Sequence, residues 1–511
     1  MPRSTFRFWF TIIAVPSFLV VGVLGYLAWR QAVPGVRAAL DPVPRWIGVR
    51  TPLAVDLVAS RGGVRSVEIR LRQGPAKVVI LRQAFTGAVT NEQRVALQVT
   101  GGTLGLREGA ATLEVLARDG FWRPIRVDDR PILREQVTLD FTPPSLEVVA
   151  ATRYWAQGGG GLVVMRSKGA SRVAVGVGAL SFPAYPAGPA ETNVYAAMVA
   201  LPWDYQGGTP ITAMAQDEAG NVTSRNVAVE VKPRHFKTDS IEIKDEFLAR
   251  KLPELLPERP GPIAEADLLA AFLTVNRDKR KQAEETKRTL AAKTQPRPLW
   301  DGVFVQPANT KVFSNFAETR TYRYHGQNVD TQIHYGYDLA AVQHGPVPAA
   351  NSGTVVFTGP LSIYGNTVVV DHGLGLQTLY AHLSSIDVKE GDQVAKGQEL
   401  GRTGSSGLAL GDHLHFEVLI NGVSVTPLEW WDARWIRDHI GKPLREGNLP
   451  LILSIMPELA KDLAAPPRRR RVPPRPQSPG SLQSPGTPQS PSRPSPERPS
   501  LERRSPERQS P

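Results

Sequence analysis

Between residues 8 and 29 the chain carries no charge, and this 22-residue run is interrupted only by Pro16, Gly22 and Gly25. A helix of that length reaches across a hydrocarbon core of about 30 Å. Trp9, Tyr26 and Trp29 lie near its ends, where amphipathic rings prefer the interface. Arg3 and Arg7 precede the run. The pattern therefore predicts a cytoplasmic N-terminus over 1–7 and a single transmembrane anchor over 8–29. A secretory leader is the competing reading, but its apolar core is usually about 7–15 residues and ends at a small-residue cleavage site, which is not evident here.

Past residue 47 the period changes. Val67-Glu68-Ile69-Arg70-Leu71-Arg72, Thr112-Leu113-Glu114-Val115-Leu116 and Val227-Ala228-Val229-Glu230-Val231 alternate apolar and polar positions. A half-buried strand has that period of two. Leu116-Ala117-Arg118-Asp119-Gly120 before one strand is echoed by Met214-Ala215-Gln216-Asp217-Glu218-Ala219-Gly220 before another, and Asp140-Phe141-Thr142-Pro143-Pro144 marks a junction. These features predict two immunoglobulin-like β-sandwich modules, over 47–142 and 143–233, acting as spacers. Residues 239–294 shift to apolar spacings of three and four, predicting a helical linker. Its part over 278–293 is dense in Lys, Arg and Glu and reads as a solvated helix face, with a mobile arm over a site as the alternative. Farther on, Trp430, Trp431 and Trp435 read as packing aromatics.

Composition narrows the picture. The chain has no cysteine, which excludes disulfides, thiolate catalysis and cysteine zinc clusters. The net charge is +12, but residues 466–511 hold ten Arg against three Glu and so supply +7 of it. The remaining +5 over the rest of the chain gives no reason to expect a nucleic-acid partner. The same 46 residues carry 14 of the 45 prolines and Arg468-Arg469-Arg470-Arg471. They read as a disordered tail suited to an anionic polymer.

The candidate chemistry lies between residues 334 and 417. In His413-Leu414-His415-Phe416-Glu417 the apolar–polar alternation predicts a strand with both imidazoles and the carboxylate on one face. His334 and Asp338 stand four apart around Gly336, and His382 follows Leu379-Tyr380-Ala381. Without thiolates, zinc takes imidazole nitrogens and carboxylate oxygens, and a catalytic site uses three of them. The surplus histidines suit general base or oxyanion-donor work.

His334-Tyr335-Gly336-Tyr337-Asp338, Tyr380-Ala381-His382-Leu383 and His413-Leu414-His415-Phe416-Glu417 together resemble the three motifs of the lysostaphin-type (LytM-like) zinc metallopeptidases. Val347-Pro348-Ala349-Ala350, Tyr364-Gly365-Asn366, Val370-Asp371-His372-Gly373 and Val388-Lys389-Glu390-Gly391-Asp392 fit the same pattern. The resemblance covers about residues 300–432, within a domain placed at 295–445. It implies that His334, Asp338 and His415 bind one Zn²⁺, and that His382 and His413 activate water and stabilise the tetrahedral intermediate. It implies a small antiparallel β-fold and hydrolysis of bacterial peptidoglycan peptides, in cross-links or bridges. Some relatives lack ligands and only activate wall amidases; all five residues are present here, although a latent scaffold that binds wall peptides is the alternative function. Ser406-Gly407-Leu408-Ala409-Leu410-Gly411-Asp412 departs from the pattern and points to a different substrate subsite.

The expected whole is mainly β. A transmembrane helix, two sandwich modules and a short helical segment precede the catalytic domain, and the disordered tail follows it. The catalytic domain is expected in the periplasm or cell-wall space, held at the inner or cytoplasmic membrane. Of the other histidines, His372 is expected to be structural, His344 a loop surface, and His325 bland, with a place at the site's edge as its alternative. His235 and His439 show no constellation, and Glu417 is expected either to bond a histidine or to sit at the core's edge.

Overall fold

In this computed structural model the described residues are 3–464, apart from 87–89, 127–128, 260 and 341; the side chains of 3–13 and 451 are also left aside. The tail expected over 466–511 lies outside the described residues. The architecture is mainly β, as the alternation predicts.

The first helix, Arg3–Ala32, contains the run expected to span a membrane. Among the described residues no helix is long and apolar enough to cross a membrane, so the span expected at 8–29 finds no support there. The side chains that the first helix presents, among them Phe18, Val21 and Leu24, are exposed.

Strands Val36–Leu40, Thr51–Ala59 and Glu92–Val99 form one sheet; Trp46–Ile47, Leu133–Leu139, Gly109–Asp119, Val64–Gln73 and Ala76–Ala84 form a second. Val55 and Leu57 from the first meet Ile69, Leu71, Leu113 and Val115 from the second in a core of their own. The apolar residues of the period-two stretches at 67–71 and 113–115 face that core, which fixes the register, while Arg70 and Glu114 are buried as an ion pair on the other face.

Downstream, Tyr185–Pro186, Val194–Ala200, Gly160–Arg166 and Glu147–Ala151 face Leu180–Pro183, Arg172–Val177, Ile211–Gln216 and Val222–Asn226. Asn221 ties the two pairs of sheets together: its Oδ1 accepts from Val49 N at 2.6 Å and its Nδ2 donates to Asp140 O at 2.9 Å. The alternating stretch 227–231 is not one strand. Val227 N still bonds to Ile211 O, after which the chain crosses to pair Glu230–Lys232 in parallel with Tyr154–Ala156.

The large sheet runs in the order Lys311–Ser314, Tyr337–Ala340, Leu414–Ile420, Leu376–Ala381, Asn366–Gly373, Gly353–Pro360 and Gln393–Val394, with Val423–Val425 also on Leu414–Ile420. All its pairings are antiparallel. Its registers place Asp338 opposite His415 on one side and Ala381 opposite His415 on the other. A smaller sheet beside it pairs Thr238–Ile243 with Glu318–Tyr324, and that strand with Gln327–His334.

The second pair of sheets shares a continuous hydrophobic core with the large sheet. Trp430, fully buried, meets Trp300 and Phe304 with ring centroids 5.8 and 5.3 Å away. Beside them Glu429 Oε2 accepts from Gly160 N at 2.9 Å, and its Oε1 lies 3.3 Å from Arg234. Burial pushes the Glu429 carboxyl up from 4.5 to about 7, against the opposing pull of Arg234.

A folded-state pKa above the unfolded one means that the contribution of the protonated group is full below pH about 4.5 and gone above pH about 7. Glu429→Gln stays neutral throughout. Its thermal unfolding curves should match the wild type at the acid end of that window. By its upper end the variant should have gained on the order of 2–3 kcal/mol relative to wild type. A difference between the two proteins that does not change with pH would contradict this assignment.

Candidate metal centre

His334 ends the strand Gln327–His334, and Asp338 lies in Tyr337–Ala340, so a two-residue reversal at Tyr335-Gly336 returns the chain to the same point. The carboxylate there faces His415 across the sheet. His334 Nε2 is 3.0 Å from Asp338 Oδ1 and 3.0 Å from His415 Nδ1, and His415 Nδ1 is 2.9 Å from Asp338 Oδ1. All three residues are buried, and each offers one ligand atom to the same point.

The tautomers follow from the outer partners of the rings. His334 Nδ1–H donates to Asn315 O at 2.8 Å, which leaves Nε2 with a lone pair. His415 Nε2–H donates to Glu417 Oε1 at 3.0 Å, which leaves Nδ1 with one. Two lone pairs and a carboxylate oxygen at about 3 Å repel one another unless a cation sits between them. Donors on a tetrahedral zinc with bonds of about 2.0–2.1 Å are about 3.3 Å apart, so the observed triangle fits that ion with little adjustment.

Gly336 is needed for this approach. A Cβ at that position would come within 2.8 Å of His415 Cε1 and Nε2.

His382 and His413 complete the group, with ring centroids 4.8 Å apart. His382 has a left-handed backbone at φ 63°, which swings its ring from the end of Leu376–Ala381 toward the site. Such a conformation in a non-glycine residue costs of order 1–3 kcal/mol and is held by its surroundings. Here His382 N donates to Tyr364 O and its Nδ1–H to Ser406 O, both at 2.8 Å. His413 Nδ1–H donates to Gly411 O at 2.8 Å, and its Nε2 lies 3.5 Å from Asp338 Oδ1. Both rings therefore leave Nε2 available. All five candidate residues converge on one site.

Burial sets the electrostatics. It lowers the His334 imidazole to about 4, against the attraction of Asp338. It drives His382 well below its ordinary value, with the neighbouring His413 and His415 adding to the effect. Burial would also lower His415, but its hydrogen bonds to Asp338 and Glu417 outweigh it and raise that ring. For Asp338 burial acts upward and the histidines prevail, holding the carboxyl well below the usual range.

The site lies in a cavity of about 530 Å³. Leu408, Ala409, Leu410, Gly411 and Asp412 line it, so the departing segment does border the site. Its opposite walls come from upstream: Ile241, Ile243, Phe247, Phe272 and Arg280.

Several site residues were missed. Arg320 Nη2 donates to Asp338 Oδ2 at 2.7 Å; the signal was a hairpin turning at His325-Gly326, which brings 318–324 back along 327–334. The helix Arg280–Ala291 is not merely a solvated face, because Lys287 is fully buried and Ala283 and Leu290 pack beside it. Helix Asp245–Leu255 clasps the loop that holds His382: Lys251 Nζ donates to Ser405 O, and Gly407 N donates to Glu254 Oε1 at 2.7 Å.

His325 stands at a hairpin tip, exposed and paired with Asp245 at 3.1 Å, which sets aside the site-edge alternative. His372 is structural, bonded to Ser352 O and Thr378 Oγ1, and His344 is an exposed loop residue. His439 stacks on Trp435. Glu417, by bonding His415, supports the centre directly.

Residues 332–427 match Peptidase family M23, and this segment is an M23 (LytM-like) peptidase domain. Over 117 residues the chain is 40% identical to the DD-carboxypeptidase/endopeptidase Mpg of Neisseria meningitidis serogroup B, covering 23% of this chain and 27% of that protein. Over 119 residues it is 36% identical to the peptidoglycan DD-endopeptidase ShyA of Vibrio cholerae, with the same coverages of 23% and 27%. The chain thus spans about a quarter of the length of these curated relatives. A putative M23 peptidase structure from Pseudomonas aeruginosa aligns with 54% of this chain and 95% of its own, at 22% identity and TM-score 0.35.

Gly336→Ala should force the His415 ring or its strand to shift. Overpacking of this kind typically costs about 1–3 kcal/mol, to be read as a lowered Tm. Metal content should fall with it, and a variant with wild-type Tm and metal content would show that the ring has room to spare.

Proposed function

We propose that this chain is a zinc-dependent endopeptidase that hydrolyses peptide cross-links or bridges of bacterial peptidoglycan from an envelope-facing position. The observation that carries this reading is the triangle of His334 Nε2, Asp338 Oδ1 and His415 Nδ1, closed to about 3 Å with both histidine tautomers turned toward its centre. The M23 match, and relatives named as peptidoglycan endopeptidases, support the substrate class.

In this reading His334, Asp338 and His415 hold the ion. When bound, zinc supplies Lewis acidity toward the scissile carbonyl and makes water a stronger acid. The chain's own residues handle the protons. His382 is kept neutral by burial, and its Nδ1–H is committed to Ser406 O, so its Nε2 accepts a proton from the attacking water. His413 faces the same space with its Nε2 free, placed to share that proton traffic and to stabilise charge developing on the peptide oxygen. The apolar walls at Ile241, Phe272, Leu408 and Leu410 exclude water and give the peptide a surface to lie against.

Attachment to the cytoplasmic membrane through the first helix belongs to the same proposal. It is supported by the exposed apolar side chains at Phe18, Val21 and Leu24, which need a cover. Wild-type chain should sediment with membranes and a chain lacking 1–34 should not. Recovery of both in the supernatant would dismiss the anchor.

The catalytic reading is tested by incubating the full chain with purified sacculi and analysing the released muropeptides by mass spectrometry. New peptide ends should appear and vanish on chelation. His413→Ala and His382→Ala should each lower the rate by about 10²–10⁴-fold while keeping stoichiometric zinc. His334→Ala and Asp338→Ala should lose both zinc and activity. Sacculi left intact by zinc-loaded protein, or cleavage indifferent to chelator, would sink the enzyme reading.

A further inference from the structure

The M23 match begins at residue 332, yet a side chain 45 positions upstream, at 287, reaches the back of the metal centre. Lys287 lies on the helix Arg280–Ala291 and is completely buried. Its Nζ is 2.9 Å from Glu417 Oε2, 2.8 Å from Glu284 Oε1 and 3.0 Å from Tyr364 Oη. The ammonium also stands 5.0 Å from the ring centroids of Tyr335 and Tyr364.

The two oxygens of Glu417 are divided between two tasks. Oε2 is held by Lys287 and by Ser424 Oγ at 2.7 Å, whereas Oε1 accepts from His415 Nε2. Because Glu417 is fully buried, its negative charge needs a compensating cation, and among the described residues Lys287 is the cation paired with it. The hairpin tip at Gly422 makes the docking possible: a Cβ there would meet Arg288 Cα at 2.7 Å and Lys287 O at 3.1 Å, and its φ of +77° already favours glycine.

We propose that Lys287 is a positioning residue of the metal centre: by holding one oxygen of Glu417 it keeps the other aimed at His415 Nε2, and so presents His415 Nδ1 to the ion. The inference rests on the zinc reading given above. It makes the helix upstream of the M23 segment part of the centre's support, although no atom of that helix binds the metal. Partners of a metal-bound histidine fix its tautomer and ring orientation, and their loss typically costs about 10–100-fold in metal affinity.

The test is made on the full chain, stripped of metal and titrated with zinc against a chromophoric chelator, with the Co²⁺ absorption spectrum as a second readout of the ligand field. Lys287→Met should lower zinc affinity by about 10–100-fold and alter the Co²⁺ bands. Glu417→Gln should do the same. The double variant should be no worse than the weaker single variant, because both substitutions break one relay. Lys287→Arg, which keeps the charge, should recover part of the affinity.

Wild-type affinity in a folded Lys287→Met protein would overturn the proposal. So would losses that multiply in the double variant, since Lys287 would then act by another route. If Lys287→Met does not fold, as judged by circular dichroism, Glu417→Gln decides. Unchanged affinity there removes the charge-dependent link on which Lys287 would act and overturns the proposal; a tenfold or greater loss supports it. Wild-type protein that binds no zinc would instead refute the metal-centre reading itself.

Discussion

The site depends on one register. The strand Leu414–Ile420 lies between Tyr337–Ala340 and Leu376–Ala381, with His415 opposite Asp338 on one side and Ala381 on the other. Side chains alternate along a strand, so a slip of one residue would send His415 and Glu417 to the opposite face and point Leu414 and Phe416 into the centre. The apolar partners prevent that slip. Leu414, Phe416 and Val418 are buried in the core that the sheet shares with the second pair of sheets, and reversing them would expose apolar area worth about 25 cal/mol per Å².

Around that register the chain uses parts from outside the peptidase segment. Glu417 supports His415 from behind and is itself held by Lys287 of the upstream helix. On the other flank the helix Asp245–Leu255 grips the loop 405–407, and Ser406 O in that loop holds His382 in its strained left-handed conformation. A histidine bound at one nitrogen can still rotate or change tautomer, whereas one bound at both cannot do so without breaking a bond. The helical segment therefore braces one residue in each half of the site, His415 through Glu417 and His382 through the loop 405–407. A reading that treats 239–294 only as a linker leaves out these two braces.

Much of the chemistry was legible because it is local. His413, His415 and Glu417 share a parity that holds for any strand, and the absence of cysteine restricts the donors wherever the chain runs. Gly336 was visible within its motif, but its purpose was not, because the ring it must admit comes from 79 residues away. Arg320 could be placed only once the 318–334 hairpin was known.

Lys287 marks the boundary most sharply. In sequence it sits among Lys, Arg and Glu, where a charged residue is normally solvated, although the helical period puts it on the face of Ala283, Leu290 and Ala291. Its burial is decided by Glu417, Tyr364 and Ser424, which lie 77 to 137 residues farther along the chain. The sequence by itself determined which residue types face one side of each strand and which of them can take a metal or carry a proton. Only the tertiary structure decided which strands adjoin, which loop holds His382 and which lysine is buried. A buried charge is stable only beside its partners, and those partners are brought together by folding and not by spacing along the chain.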